Sequence, residues 1–88
     1  MYKNNTITEV LGVGAKALQL FIKVSEKYGT SDFIQSYRGL GKEFDMAYTN
    51  VRYHFQKLEK YGYLTIDKAN RFQFVFHLNE DKLKGLLK

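Results

Sequence analysis

Apolar residues along the chain recur first at helical and then at alternating intervals. From Val13, the positions Ala17, Leu18, Phe21, Val24 and Tyr28 form the stripe of one helix face. Gly29, which adopts a left-handed backbone at little cost, is the expected stop. Thr30, Ser31 and Asp32 make a polar joint, and Phe33 to Gln35 fit a very short strand. Ser36 is placed to cap a second helix carrying Tyr37, Leu40, Gly41 and Phe44. Asp45 to Ala47 interrupt that stripe before it restarts over residues 47 to 61. There Val51, Phe55 and Leu58 share a face, with Ala47 and His54 at its edges, and Gly62 closes the helix in the same Lys-Tyr-Gly form as the first.

Beyond Gly62 the period changes to two. Tyr63 to Ile66, a turn over Asp67, Lys68, Ala69 and Asn70, and then Arg71 to Leu78 predict a hairpin with one buried face. Within it Phe72, Phe74, Phe76 and Leu78 alternate with Arg71, Gln73, Val75 and His77. The three phenylalanines are assigned to the core rather than to a base-stacking platform, because a helical domain needs a sheet face to pack on. Asn79 can cap a last helix, with Glu80 and Asp81 in its first turn and Lys84 and Lys88 towards its end, as the helix dipole favours. Residues 1 to 5 are polar and expected to fray, and Thr6 to Leu11 are compatible with a helical lead-in or an extended arm. The predicted fold is α+β and mainly helical: three helices, a β-hairpin and a short final helix in one domain over residues 1 to 88.

At 88 residues a second folded module does not fit, and a 16% aromatic share lets large rings fill a small core. The absence of Cys excludes disulfides, a thiolate nucleophile and a cysteine zinc site, in keeping with a reducing compartment. His54 and His77 have no Asp, Glu or Cys at ligand spacing, so no metal is expected. No apolar run spans a bilayer and the first ten residues lack a signal-peptide stretch, so the expectation is a cytoplasmic protein without a membrane partner. Gly12, Gly14 and Ala17 match a dinucleotide glycine spacing, but an 88-residue chain lacks the parallel sheet it requires. Gly41-Lys42 is followed by Glu43 where a phosphate loop needs Ser or Thr. No catalytic set, cofactor or small-molecule ligand is expected.

Charge changes the picture. Fourteen Lys and Arg against nine Asp and Glu give +5 and a pI near 9.5, which favours polyanions. Across residues 47 to 71, Arg52, Lys57, Lys60, Lys68 and Arg71 outnumber Glu59 and Asp67, a net +3 of that +5. A helix that buries Val51, Phe55 and Leu58 must turn Thr49, Arg52, Tyr53, Gln56 and Lys60 outward. Arg52 suits guanine O6 and N7, Gln56 or Asn50 suits adenine N6 and N7, and Tyr53 suits a thymine methyl or a phosphate.

The two helices on a tight turn, followed by Leu58-Glu59-Lys60-Tyr61-Gly62-Tyr63-Leu64 and a basic hairpin, resemble the winged helix-turn-helix family of transcriptional regulators. The likeness covers residues 13 to 78, and its most specific part is the stretch from Leu40 to Phe55, similar to the positioning helix, turn and recognition helix of that family. Ala47 departs from the Ser usual at its position. The small size, without an effector domain, is also similar to regulators of archaeal viruses and plasmids.

The resemblance implies a sequence-specific regulator that binds double-stranded DNA, with helix 47 to 61 in the major groove and Tyr48, Thr49, Asn50, Arg52, Tyr53 and Gln56 at the bases. Arg38, Lys42, Lys57 and Lys60 would hold phosphates. A wing over residues 67 to 71, with Lys68, Asn70 and Arg71, would meet the backbone or the adjacent minor groove. A homodimer is expected, because two half-sites multiply discrimination. Leu83, Leu86 and Leu87 suit either its interface or the chain's own core, and Ile7 and Leu11 are further interface candidates. Two alternatives stand beside this reading: a plasmid partition or replication-origin protein that coats repeated sites, and a docking module that uses the same helix to bind protein.

Overall fold

In the computed structural model, which describes residues 12 to 87, helices and strands follow the order α1 (Ala15–Tyr28), β1 (Phe33–Gln35), α2 (Tyr37–Phe44), α3 (Tyr48–Lys60), β2 (Leu64–Lys68), β3 (Phe74–Leu78) and α4 (Glu80–Leu87). The fold is α+β and mainly helical. The expected fraying at residues 1 to 5, the lead-in at Thr6 to Leu11 with Ile7, and Lys88 lie outside the described residues.

The first stripe forms its helix two residues later than the periodicity predicts. Gly14 has φ 94, a conformation outside the helical region, so α1 begins at Ala15 while Val13 is still buried. Ala17, Leu18, Phe21 and Val24 are buried as expected, and Leu20 joins them. At its far end the Gly29 N–H donates to the Ser25 carbonyl at 2.8 Å.

Ser36 caps α2 as its position predicts: its Oγ accepts the Gly39 N–H at 2.9 Å. The helix stops at Asp45, whose left-handed backbone (φ 54, ψ 52) turns the chain, and the Met46 N–H donates to the Gly41 carbonyl at 2.8 Å. Gly41 is what allows this turn to be so tight, because a Cβ there would come within 2.5 Å of the Met46 carbonyl oxygen. α3 follows at once. Ala47 holds the extended backbone of a helix N-cap but has no side-chain acceptor for the first-turn N–H groups. Ala47→Ser supplies that acceptor and should stabilise the protein by about 1 kcal/mol. A thermal melt should show this as a rise of roughly 4–8 °C for a domain of this size.

The three strands form an antiparallel sheet in the order β1-β3-β2. Phe33 and Ile66 flank Phe76 in register, and on this face the sheet packs against the helices. Phe76 is fully buried, with the Phe33 and Phe55 rings 5.2 and 5.0 Å from its own and Tyr37 at 5.9 Å. Helix α3 enters the same core through Val51, Phe55 and Leu58, each 0% exposed. Such edge-on and tilted ring contacts are how the aromatic content becomes packing.

The hairpin differs from its sequence-based outline. β2 runs on through Asp67 and Lys68, the connection covers residues 69 to 73, and β3 begins only at Phe74. Phe72, assigned to the buried stripe by alternation, is therefore at the tip and 70% exposed. The cause is Asn70, whose Oδ1 accepts the N–H groups of Phe72 and Gln73 at 3.1 and 3.0 Å and so holds a turn two residues later than expected.

Asn79 caps α4, accepting the Lys82 N–H at 3.1 Å and donating its side-chain amide to the Gly62 carbonyl at 3.0 Å. Leu83 is buried and Leu86 half-buried against the core, so both leucines serve the chain's own packing. Leu87 is the last residue of the helix. No helix among the described residues is long and apolar enough to cross a membrane.

One carboxylate joins three elements. Glu43 accepts the Tyr28 hydroxyl at 2.5 Å and the Gln35 amide at 2.9 Å, and it pairs with the Lys27 ammonium at 3.2 Å. Burial pushes its pKa up, but the Tyr28 and Lys27 bonds outweigh that and hold it below the usual 4.5. A depressed carboxylate stabilises the fold above its unfolded pKa, and that stabilisation is lost as pH falls through the folded value. The melting difference between wild type and Glu43→Gln should therefore be largest near neutral pH and shrink below the usual carboxylate range, as melts across that series would show.

Candidate nucleic-acid interface

The outer face of α3 is set by its inner one. With Val51, Phe55 and Leu58 buried, the helical period leaves Tyr48, Thr49, Asn50, Arg52, Tyr53, Gln56 and Lys60 exposed. Arg52 and Gln56 are four residues apart, the spacing at which two residues share a helix face, and both line one depression beside the helix. The Lys57 ammonium lies 5.2 Å from the centroid of the Tyr53 ring, which is 55% exposed. Lys57 is half-buried, with its ammonium beside Tyr53.

Three depressions adjoin this helix. The first, of ≈ 270 Å³, lies between α3 and the hairpin and is lined by Arg52, Gln56 and Glu59 of α3, Ile66 and Lys68 of β2, Phe74 of β3 and Tyr37 of α2. The second, of ≈ 380 Å³, lies between the start of α2 and the hairpin tip and brings Arg38, Tyr48, Arg71 and Phe72 together with Ser36 and Tyr37. The third, of ≈ 500 Å³, follows the turn between α2 and α3 and contains Arg38, Lys42 and Tyr48, with Asp45 as its acidic member. Tyr37 belongs to the first two and Arg38 and Tyr48 to the last two, so the three form a continuous surface across α2, α3 and the hairpin.

The electrostatics of this surface are positive with two acidic exceptions. Glu59 is engaged, accepting the Ile66 N–H at 3.1 Å and tying α3 to β2. Asp45 is the left-handed residue of the turn. Arg38 rests on the Tyr48 ring at 4.5 Å and Arg71 on the Phe72 ring at 5.4 Å, contacts that orient both guanidinium groups without neutralising them. Burial pushes the Tyr37 hydroxyl above its ordinary pKa against the opposing effect of Arg52, so at neutral pH it is an uncharged hydroxyl beside that guanidinium.

Most of the residues singled out by sequence are therefore on one surface: Arg38, Lys42, Tyr48, Arg52, Gln56, Lys68 and Arg71 share these depressions, while Thr49, Asn50, Tyr53, Lys57 and Lys60 belong to α3 itself. Lys60 sits with its ammonium 5.9 Å from the Tyr61 ring, near the end of the helix. Asn70 is the exception, because its carbonyl holds two loop N–H groups and its amide donates to Gln73 Oε1 at 2.9 Å, so its side chain builds the tip.

Sequence reasoning missed Phe72 and Tyr37 as members of the surface. The signal for Phe72 was present in Asn70, whose carbonyl is suited to bond backbone groups two and three residues on. His54 lies on the α1 side, its Nδ1 buried and unpartnered, and burial together with Lys16 and Lys57 keeps its pKa below the usual 6.5. His77 pairs instead with Asp32 on an exposed part of the sheet at 2.5 Å. Among the described residues no group of His, Asp and Glu is arranged to hold a metal. Compared with known proteins, the chain matches no family model and no curated protein.

Proposed function

We propose that this protein is a winged helix-turn-helix regulator of transcription that binds double-stranded DNA sequence-specifically, with α3 in the major groove and the β2–β3 hairpin as the wing. The observation that carries the reading is the division of α3: an apolar face wholly committed to the core and an opposite face of Arg52, Gln56, Thr49 and Tyr53, flanked by the cations of α2 and of the hairpin. A major groove about 12 Å wide accepts such a helix. Arg52 then pairs with a guanine edge, Gln56 with an adenine edge, and Arg38, Lys42 and Lys68 with phosphates on either side.

The reading includes a two-fold dimer, since one helix covers few base pairs whereas two read half-sites about 34 Å apart. Leu83 is buried in the core, and Leu86 is half-buried against it, so the exposed part of Leu86 is still open to a contact between copies. Selection of bound duplexes from a random-sequence pool, at two salt concentrations, tests the proposal. An enriched palindrome supports it. Binding without enrichment, with a log–log salt slope of about −0.9 for each phosphate neutralised, replaces it with a coating role. Failure to bind duplex at low salt moves the protein to the class that docks on other proteins.

A further inference from the structure

Phe72 has the largest exposed fraction of the exposed large apolar side chains among the described residues, and its position is built rather than incidental. Five bonds close the loop beneath it. The N–H groups of Ala69 and Asn70 both donate to the Gln73 carbonyl, at 3.0 and 3.1 Å, and the Asn70 side chain makes the remaining three, to Phe72, Gln73 and the Gln73 side chain. A loop tied in this way holds its projecting residue in place before any partner arrives, which lowers the ordering cost of using it. Arg71 lies over one side of the ring, and no acidic side chain occurs between Lys68 and Gln73. The ring also shares a depression with Arg38 and Tyr48, continuous with the face of α3.

An apolar ring in a cationic setting, on a rigid tip beside a groove-reading helix, matches one kind of occupant. We propose that Phe72 is a wedge that enters the minor groove flanking the α3 contact and partly unstacks one base step, so that the protein bends its DNA. This rests on the DNA-binding reading above. Apolar wedges act in this way because the loss of stacking is offset by burial of the inserted side chain and by the wider contact that bent DNA allows, with bends of about 20–90°. Arg71 is placed to meet the minor-groove edge or a phosphate as the ring enters. The wedge also adds specificity where no base edge is read: pyrimidine–purine steps unstack most easily, so TA or CA/TG should be favoured at the flanking position.

The test uses the full chain and a duplex that the wild-type protein has selected from the random pool, with 2-aminopurine placed in turn at the flanking steps. Wild type should raise the probe's emission at one step as it unstacks, and shorten the end-to-end distance measured by energy transfer. Phe72→Ala should bind about tenfold more weakly, as expected for an aromatic ring no longer taken out of water, and should lose both signals. Phe72→Leu, still an apolar wedge, should keep most of both. If Phe72→Ala keeps the emission change and the bend, or if wild type binds without either, the wedge is wrong and the DNA-binding reading stands. If wild type binds no duplex at all, both fall together.

Discussion

Replacing Arg52 and Gln56 together by Ala should lower affinity for the selected duplex by about a hundredfold or more, since each well-formed bidentate base contact contributes about 1–3 kcal/mol of discrimination. The melting temperature should hardly move, because both side chains are exposed and the buried face of α3 is untouched. Fluorescence anisotropy on the selected duplex and on an unrelated one separates this from a charge effect. Losing Gln56 removes no charge, so the double variant should weaken the selected duplex far more than the unrelated one. Lys68→Ala should do the opposite, weakening both alike and reducing the salt slope by about one. Equal affinity of the double variant and wild type for the selected duplex would mean that this face of α3 reads no bases.

The helical part of this arrangement is legible because its determinants are local. Ser36, Gly29, Gly62 and Asn79 mark ends through bonds that close within a few residues, and a stripe such as Val51, Phe55 and Leu58 fixes the inward face and hence the outward one. Periodicity does not show a competing local conformation. Gly14 at positive φ delays α1, and Leu20 packs beside the stripe because the surrounding core is wider than one helix face.

What depends on partners far along the chain was less legible. β1 is three residues long and exists by pairing Phe33 with Phe76 on a strand at the other end of the sequence. The surface that joins Arg38 and Tyr48 to Arg71 and Phe72 depends on where the hairpin turns, and a register shift there changes which residues meet α2. Periodicity continued through Phe72 without a break, so it could not show that Asn70 had already bent the strand away.

The two phenylalanines of that same alternating row should accordingly respond in opposite ways to truncation. Phe76→Ala removes a fully buried ring from the centre of the sheet, where Phe33, Phe55 and Tyr37 surround it, and should cost about 3–5 kcal/mol. For a chain of this length that is a large fraction of a total stability of roughly 4–13 kcal/mol. Urea unfolding should show a much lower midpoint, and the melting temperature should fall by more than about 12 °C. Phe72→Ala should change stability by no more than about 0.5 kcal/mol, because the ring has little protein to lose contact with. A large loss for Phe72→Ala would put that ring in the core and restore the longer β3 that alternation predicts. A small loss for Phe76→Ala would remove the aromatic centre on which the orientation of α3, and with it the whole exposed face, depends. The identity of the residue is the same at both positions, so the difference between the two variants measures where the hairpin turns.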